Sequence, residues 1–281
     1  MINKETFLQD SLVQQFIGWA LPKINTADGF VHTYQLPARS GAQVWTCASI
    51  FDAYQKYSWK FKSIHPIDLS VIRGASYEEC TAYLQLCQNT LRTALAENNL
   101  IHLKYACHGI LKWGGVVRRN LNTINMMDNH FEYFKDVQRR LSVSDVSLSD
   151  NFDGIFMNSG FTKIYAMLLE DFMIYDSRVG AALGWLVRLF LEEKQIQEVP
   201  DSLRFAYGVA RSKGLNRNPS SDTHKFPVLR NDPVFHLKNN LKANWLCGEL
   251  VKQSRFNEEP NGLRALEAAL FMIGYHIPVS K

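Results

Sequence analysis

Ser159–Lys163 reads SGFTK, and Ile174–Val179, a short distance further on, reads IYDSRV. The first stretch turns at a glycine and then opens an apolar helix, with Lys163 in its first turn. In the second stretch Asp176 precedes another apolar helix, and aspartate is among the residues preferred at a helix N-cap. The pattern therefore predicts a mainly α-helical fold in which an amine and a carboxylate stand at the starts of two adjacent helices.

Both charged groups suit chemistry at an electron-poor sugar carbon. The positive end of the helix dipole disfavours an ammonium group at Lys163, and only a neutral amine acts as a nucleophile. A carboxylate at Asp176, fixed by backbone N–H groups, stays ionised and can stabilise a cationic transition state. Each residue alone also has a plain structural explanation, as a surface lysine and as a helix cap. Together they are the candidate catalytic residues.

Composition sets broad limits on the class of protein. The 281 residues, 46% of them apolar, suit one large domain or two lobes that share a core. A net charge of +4 permits a polyanionic partner without requiring one. The N-terminus lacks the pattern of a secretory leader, and the most apolar segment, Val179–Leu191, is interrupted by Arg188 and is too short to span a bilayer. We therefore expect a soluble, cytoplasmic protein without a membrane partner.

The cysteines argue against a metal centre or a disulfide framework. There are five of them, an odd number, and no two form a C-x-x-C pair. An iron–sulfur cluster would need four clustered thiolates. We expect reduced, mostly buried thiols, no metal and no cofactor.

Helical periodicity dominates the rest of the chain. Strand signals are weak and confined to the first 75 residues, at Phe30–Leu36 and Gln43–Thr46, and Leu21–Gly41 and Gly214–Pro233 read as irregular. The first predicted helix, 76–95, begins with the Ser-x-x-Glu capping pattern of Ser76 and Glu79. A short helix is predicted from Ser149 or Asp150 through Phe156. The other predicted helices are Leu100–Lys112, Met126–Leu141, Thr162–Leu169, Ser177–Leu191, Ser202–Ser212, Val234–Lys252 and Leu263–Ile273.

The order of these features resembles the active-site region of helix-hairpin-helix DNA glycosylases, in particular the bacterial 8-oxoguanine-glycosylase-like branch. The resemblance lies in the glycine turn at Gly160, the Thr162-Lys163 pair, the intervening helix and the helix capped by Asp176. Trp113–Gly115 and Leu266–Gly274 are also similar to stretches of that branch. The family's usual hairpin is richer in glycine, and its lysine and aspartate stand further apart.

This resemblance implies a two-lobed fold with a cleft, and the expected lobes are 76–192 and 1–75 plus 193–281. It implies that double-stranded DNA carrying a modified base is the partner, and that the base is flipped into a pocket between the lobes and excised. Lys163 would attack the anomeric carbon and form a Schiff base, while Asp176 stabilises the sugar cation. The excised base is either an oxidised guanine or a hypermodified cytosine of phage DNA. The resemblance does not identify the residues of the pocket, nor whether strand cleavage by β-elimination follows.

Five further residues are DNA-binding candidates. Gly160 and Thr162 belong to the hairpin, and Arg178 follows Asp176 on the next helix. Arg118 and Arg119 follow a glycine pair and can grip phosphates, although two arginines after a helix end can equally face water.

We expect the protein to act as a monomer. Two other functions compete with excision. One is a non-catalytic module that binds modified DNA. The other is an all-helical ribonuclease using Arg217 and His224, a pair that would need a helix between its members, whereas Pro219 favours a loop.

Overall fold

A computed structural model describes residues 2–36, 43–141 and 146–279, and α-helices form most of them. The expected mainly α class is confirmed. The helices of the described ranges are α1 (Lys4–Leu8), α2 (Ser11–Asn25), α3 (Ile50–Gln55), α4 (Tyr77–Ala96), α5 (Leu100–Trp113), α6 (Val117–Asn125), α7 (His130–Arg140), α8 (Phe161–Leu168), α9 (Ser177–Glu193), α10 (Pro233–Lys252) and α11 (Gly262–Ile273), with a short 3-10 helix at Arg255–Glu258.

Two small antiparallel hairpins complete the described structure. Strand β1 (His32–Gln35) pairs with β2 (Val44–Cys47), and β3 (Phe61–Ile64) pairs with β4 (Val71–Gly74). Both lie in the first 75 residues, where the sequence predicts its strands. The connection between β1 and β2 includes residues 37–42, which lie outside the described ranges.

Local capping explains where the helices near the candidate site begin. In α4 the Glu79 N–H donates to Ser76 Oγ at 3.2 Å and the Ser76 N–H donates to Glu79 Oε2 at 3.0 Å, which is the predicted capping box. Helix α9 begins after Asp176, as expected. Helix α10 has Asp232 as its cap and Pro233 in its first turn, where a missing N–H does no harm.

Helices α8 and α9 are among the most deeply buried helices in the described part of the chain. Every residue of α8 is buried, and so is most of α9. Helices α4 and α5 pack on α8, whereas α9 packs against α2 and α11. The boundary between these packing groups therefore falls between Lys163 and Asp176, so that each group supplies one of the two candidate catalytic residues. The division of the chain into lobes at residue 192 stays a prediction.

Two helix predictions were wrong, and a third placed the start of its helix too early. Residues 202–212 form no helix, because Ala206 N–H donates to Asn239 Oδ1 and the Tyr207 backbone pairs with the strand-like segment around Val228. Residues 149–156 form turns, so no helix immediately precedes the turn at Gly160. The predicted helix Met126–Leu141 begins only at His130, and α6 precedes it.

The N-terminal part was also underestimated. Helix α2 is not among the predicted helices, yet it runs through Pro22 to Asn25 and buries five large side chains. Pro22 lies in the last turn and has no N–H to donate to the helix ladder. In the described residues no helix has the combination of length and hydropathy that a bilayer crossing requires.

Candidate active site

Lys163 and Asp176 meet inside the protein. The Lys163 Nζ donates a hydrogen bond to Asp176 Oδ2 over 3.3 Å and another to the carbonyl of Ser159 over 3.0 Å. Only 5% of the lysine side chain and 12% of the aspartate side chain are exposed. The two helix starts therefore converge as their spacing predicts, while the catalytic roles of the pair stay predictions.

Asp176 is held as an oriented carboxylate. Its Oδ1 accepts hydrogen bonds from the backbone N–H groups of Arg178, at 2.9 Å, and Val179, at 3.3 Å, which leaves Oδ2 for Lys163. Burial pushes the pKa of this carboxyl upward, but the Lys163 and Arg178 charges and the two N–H groups outweigh that effect and lower the pKa below its usual value. The group is therefore ionised at neutral pH.

Side chains from other helices fix the backbone segment 173–176 that leads to Asp176. This segment is buried and irregular, so its polar groups need partners from outside the segment. The partners are Asn244 Oδ1 for Met173 N–H (2.8 Å), Asn240 Nδ2 for Met173 O (3.1 Å), Glu267 Oε2 for Ile174 N–H (2.6 Å), Thr162 Oγ1 for Tyr175 N–H (2.8 Å) and His236 Nε2 for Tyr175 O (2.8 Å).

Two glycines are required here by close packing. A Cβ on Gly114, at the end of α5, would lie 2.5 Å from Lys163 Cδ and 2.7 Å from Lys163 Cε. A Cβ on Gly160 would collide with the Asn120 side chain of α6. The turn between α5 and α6 thus lies directly against the start of α8, and Gly114 leaves room for the lysine side chain.

The DNA-binding candidates occupy different environments. Arg118 and Arg119 are exposed in the first turn of α6, just beyond Gly114 and Gly115. Thr162 is fully buried, and its hydroxyl donates to Asn240 Oδ1 at 2.7 Å, so its side chain joins α8 to α10 and cannot reach a phosphate in this conformation. The N–H groups at Gly160 and Phe161 donate to the Asn158 side chain rather than facing an open anion site.

Arg178 lies in an aromatic cage rather than on an open surface. Its guanidinium carbon is 4.0 Å from the ring centre of Phe271, 4.7 Å from that of Tyr275 and 5.4 Å from that of Trp59. Burial lowers the pKa of this arginine to about 10. Glu170, another acidic residue that could pair with Arg178, instead has its carboxylate 3.6 Å from Arg92 Nη1.

A small cavity opens beside the charged pair. It has a volume of about 30 Å³, and both Lys163 and Asp176 line it. That is room for about one or two water molecules, whereas small-molecule sites usually measure about 300–1,000 Å³. A polar groove of about 530 Å³ adjoins it, and the two spaces share Thr81, Leu84, Arg264 and Glu267 as lining residues.

Sequence reasoning missed several residues that build this site. His236, Asn240 and Asn244 lie on one buried face of α10, and Glu267 is buried on α11. Their partners are backbone atoms far away in sequence, so no local pattern identifies them. One sequence signal could have indicated them: polar residues recur on faces of α10 and α11 that are otherwise apolar. Buried polar groups are nearly always hydrogen-bonded, so such residues indicate partners elsewhere in the fold.

The residues of the ribonuclease alternative serve other contacts. Arg217 donates to Ser177 Oγ at 2.8 Å and to the carbonyl of Tyr275, whereas a ring nitrogen of the buried His224 lies 2.8 Å from the carbonyl of Ile196. No helix connects the two residues. The described residues also contain no group of three or more metal-ligating side chains, and all five cysteines are buried free thiols.

Comparison with known proteins found no match: no family model fits the chain, and no curated protein or solved structure is significantly similar to it. A functional assignment therefore depends on the chemistry of the residues described above.

Proposed function

We propose that the protein is a DNA glycosylase that extrudes a modified base from double-stranded DNA and excises it, with Lys163 as nucleophile and Asp176 as the stabilising carboxylate. The modified base is either an oxidised guanine, in a repair role, or a hypermodified cytosine, in defence against phage. The proposed architecture is the two-lobed helix-hairpin-helix arrangement, with DNA crossing the start of α8.

One observation carries this proposal. A lysine amine and an ionised carboxylate are 3.3 Å apart, nearly excluded from solvent, and face a common cavity. Buried ion pairs are weak contributors to stability compared with apolar residues of the same shape, so a structural role explains the pair poorly. Arg118 and Arg119 are exposed four and five positions after Gly114, and positive charge there suits a phosphate backbone.

The chemistry follows from the two groups. Asp176 is close enough to take the proton that the lysine ammonium must lose before it can attack. As the C1′–N bond of the nucleotide breaks, its electron pair leaves with the base, and the amine adds to C1′. Asp176 passes its proton to the departing base and, ionised again, stabilises the positive charge on the sugar. It then takes a proton from the added amine and gives it to O4′, so that the sugar ring opens to a protonated Schiff base.

Such an enzyme must open its cavity, since about 30 Å³ cannot hold a nucleobase. The adjoining groove has enough space for a base, and we expect the cavity to open toward it when the base is extruded from DNA. Both proposed substrates need this opening, and a hypermodified cytosine needs more of it than a guanine does.

Trapping of the Schiff base tests the proposal directly. The protein is incubated with borohydride and one of three duplexes, which carry an abasic site, 8-oxoguanine, or phage-derived glucosylated hydroxymethylcytosine. Borohydride reduces the imine to an amine, so a covalent protein–DNA adduct is expected with the abasic duplex and with whichever base is excised. Released bases are identified by mass spectrometry.

Two variants control this experiment. Lys163→Ala should abolish the adduct because it removes the attacking amine. Lys242→Met removes another buried lysine, whose amine bonds to the carbonyls of Asp201 and Arg204, and should leave the adduct in place. An adduct that survives in Lys163→Ala, or its absence with all three duplexes, would contradict the proposed function.

A further inference from the structure

A second buried ion pair lines the cavity that contains Lys163 and Asp176. Arg264 Nη1 lies 2.6 Å from both carboxylate oxygens of Glu267. Their side chains are only 12% and 8% exposed. Buried pairs of this kind do not generally stabilise a fold more than apolar residues would.

The same cavity is lined by Trp113, whose indole N–H has no strong hydrogen-bond partner in the described part of the chain. Trp113 is 7% exposed, and its indole N–H is buried with no oxygen or nitrogen acceptor among the described residues. The thiol of Cys80, a weak acceptor, is its polar neighbour. A buried donor left in this state is costly, and it would be satisfied by a ligand that brings an acceptor.

The remaining walls favour a flat ligand. Trp113, Phe271, Tyr57 and Tyr77 line the cavity with aromatic surface. Aromatic faces and edges of this kind hold an extruded base by stacking, while polar groups at the end of the pocket read its edge.

The polar groups define which edge is read. The carboxylate of Glu267 accepts an N–H, whereas the guanidinium of Arg264 and the indole of Trp113 donate to a carbonyl oxygen or a ring nitrogen. The matching ligand is a planar base with an N–H donor and an adjacent acceptor on the same edge, which is the pattern that carboxylate and arginine side chains distinguish on bases.

We propose that Glu267, with Arg264 and Trp113, reads the extruded base, an inference that rests on the proposed glycosylase function. In the free protein Arg264 occupies the carboxylate that the base will use. Because Arg264 also lines the adjoining groove, movement of its side chain toward that groove frees Glu267 and joins the two spaces.

A purely structural role for Glu267 is the alternative to exclude. Its Oε2 accepts the Ile174 N–H at 2.6 Å, two residues before Asp176, so loss of the carboxylate can also disturb the catalytic pair. An abasic site separates these roles, because it has no base to read but still needs Lys163 and Asp176 in position.

The test compares Glu267→Gln with the wild type on two duplexes, one abasic and one carrying the base that the wild type excises. Glutamine keeps an acceptor for Ile174 and loses the charge. We expect borohydride trapping on the abasic duplex at the wild-type rate and a kcat/KM for base release about 10- to 100-fold lower. Glu249→Gln, the same change on α10 outside both cavities, should alter neither rate.

Trp113→Phe keeps the ring, removes only the indole N–H, and should show the same separation of rates, so the proposal does not depend on one variant being folded. If Glu267→Gln lowers the rates on both duplexes equally, Glu267 only positions the catalytic pair. If both variants release the base at the wild-type rate, these residues do not recognise the base. If the wild-type protein traps neither duplex, the glycosylase proposal fails and base reading fails with it.

Discussion

Gly114→Ala should displace the Lys163 side chain while the surrounding helices stay in place. The added methyl group would lie 2.5 Å from Lys163 Cδ, whereas carbon atoms pack at about 3.5–4.0 Å. The lysine must therefore move by about 1 Å or more, and its 3.3 Å contact with Asp176 must lengthen or break. A misplacement of about 1 Å in a catalytic group can reduce a rate about 100-fold.

The neighbouring Gly115 provides a matched control. It has a φ of +66°, and a Cβ there would meet nothing within 4 Å. Gly115→Ala should lower the free energy of unfolding by about 1–2 kcal/mol through backbone strain alone. Gly114→Ala should lower it by a similar amount, about 1–3 kcal/mol, through overpacking. The two variants therefore differ in what happens to Lys163 rather than in stability.

The assay measures urea unfolding and Schiff-base trapping on an abasic duplex for both variants. We expect comparable loss of stability and a trapping rate that falls about 100-fold in Gly114→Ala only. Equal trapping rates in the two variants would refute the reasoning, since they would mean that the position of Lys163 does not matter for the reaction.

Other consequences of the structure can be measured separately. Burial lowers the pKa of His32 and of His236 to about 4, whereas an unfolded histidine titrates near 6.5. Between those pH values only the unfolded chain binds these protons. The free energy of unfolding should therefore fall as pH drops from 6.5 to 4, by up to about 3 kcal/mol per histidine. A series of urea melts at different pH in which His236→Gln keeps the wild-type slope would contradict this. In the same melts, Asn240→Leu should lower the free energy of unfolding by about 2–4 kcal/mol, because the Thr162 hydroxyl and the Met173 carbonyl lose their hydrogen-bond partner. A smaller decrease would show that water replaces the amide. Arg118→Ala and Arg119→Ala should each lower the salt dependence of DNA binding by about one phosphate contact without changing the melting temperature, and an unchanged slope in the double variant would place the phosphates elsewhere.

Much of the helical layout was readable from local signals. The capping box of α4, the aspartate cap of α9 and the glycine pair after α5 depend on residues a few positions apart, and each ended or began a helix as predicted. The meeting of Lys163 and Asp176 was predictable for the same reason, since one short helix and a connection link the two.

The residues that hold this pair in place could not be predicted from the sequence. The segment before Asp176 takes its hydrogen bonds from α10 and α11, whose residues lie about 60 to 90 positions further along. Predicted helix 202–212 failed for a related reason, because Ala206 and Tyr207 use distant partners instead of a helix ladder. Both cases show tertiary contacts overriding local preference.

The dependence of residues 173–176 on α10 and α11 has a consequence for how the protein matures during translation. A nascent chain contains Lys163 and Asp176 well before the ribosome has made Asn240 or Glu267. Until those later helices dock, the Thr162 hydroxyl is the one partner present of the five that hold this segment. The site should therefore become competent in one step, late in synthesis, and a fragment truncated before α10 should carry both charged residues without joining them.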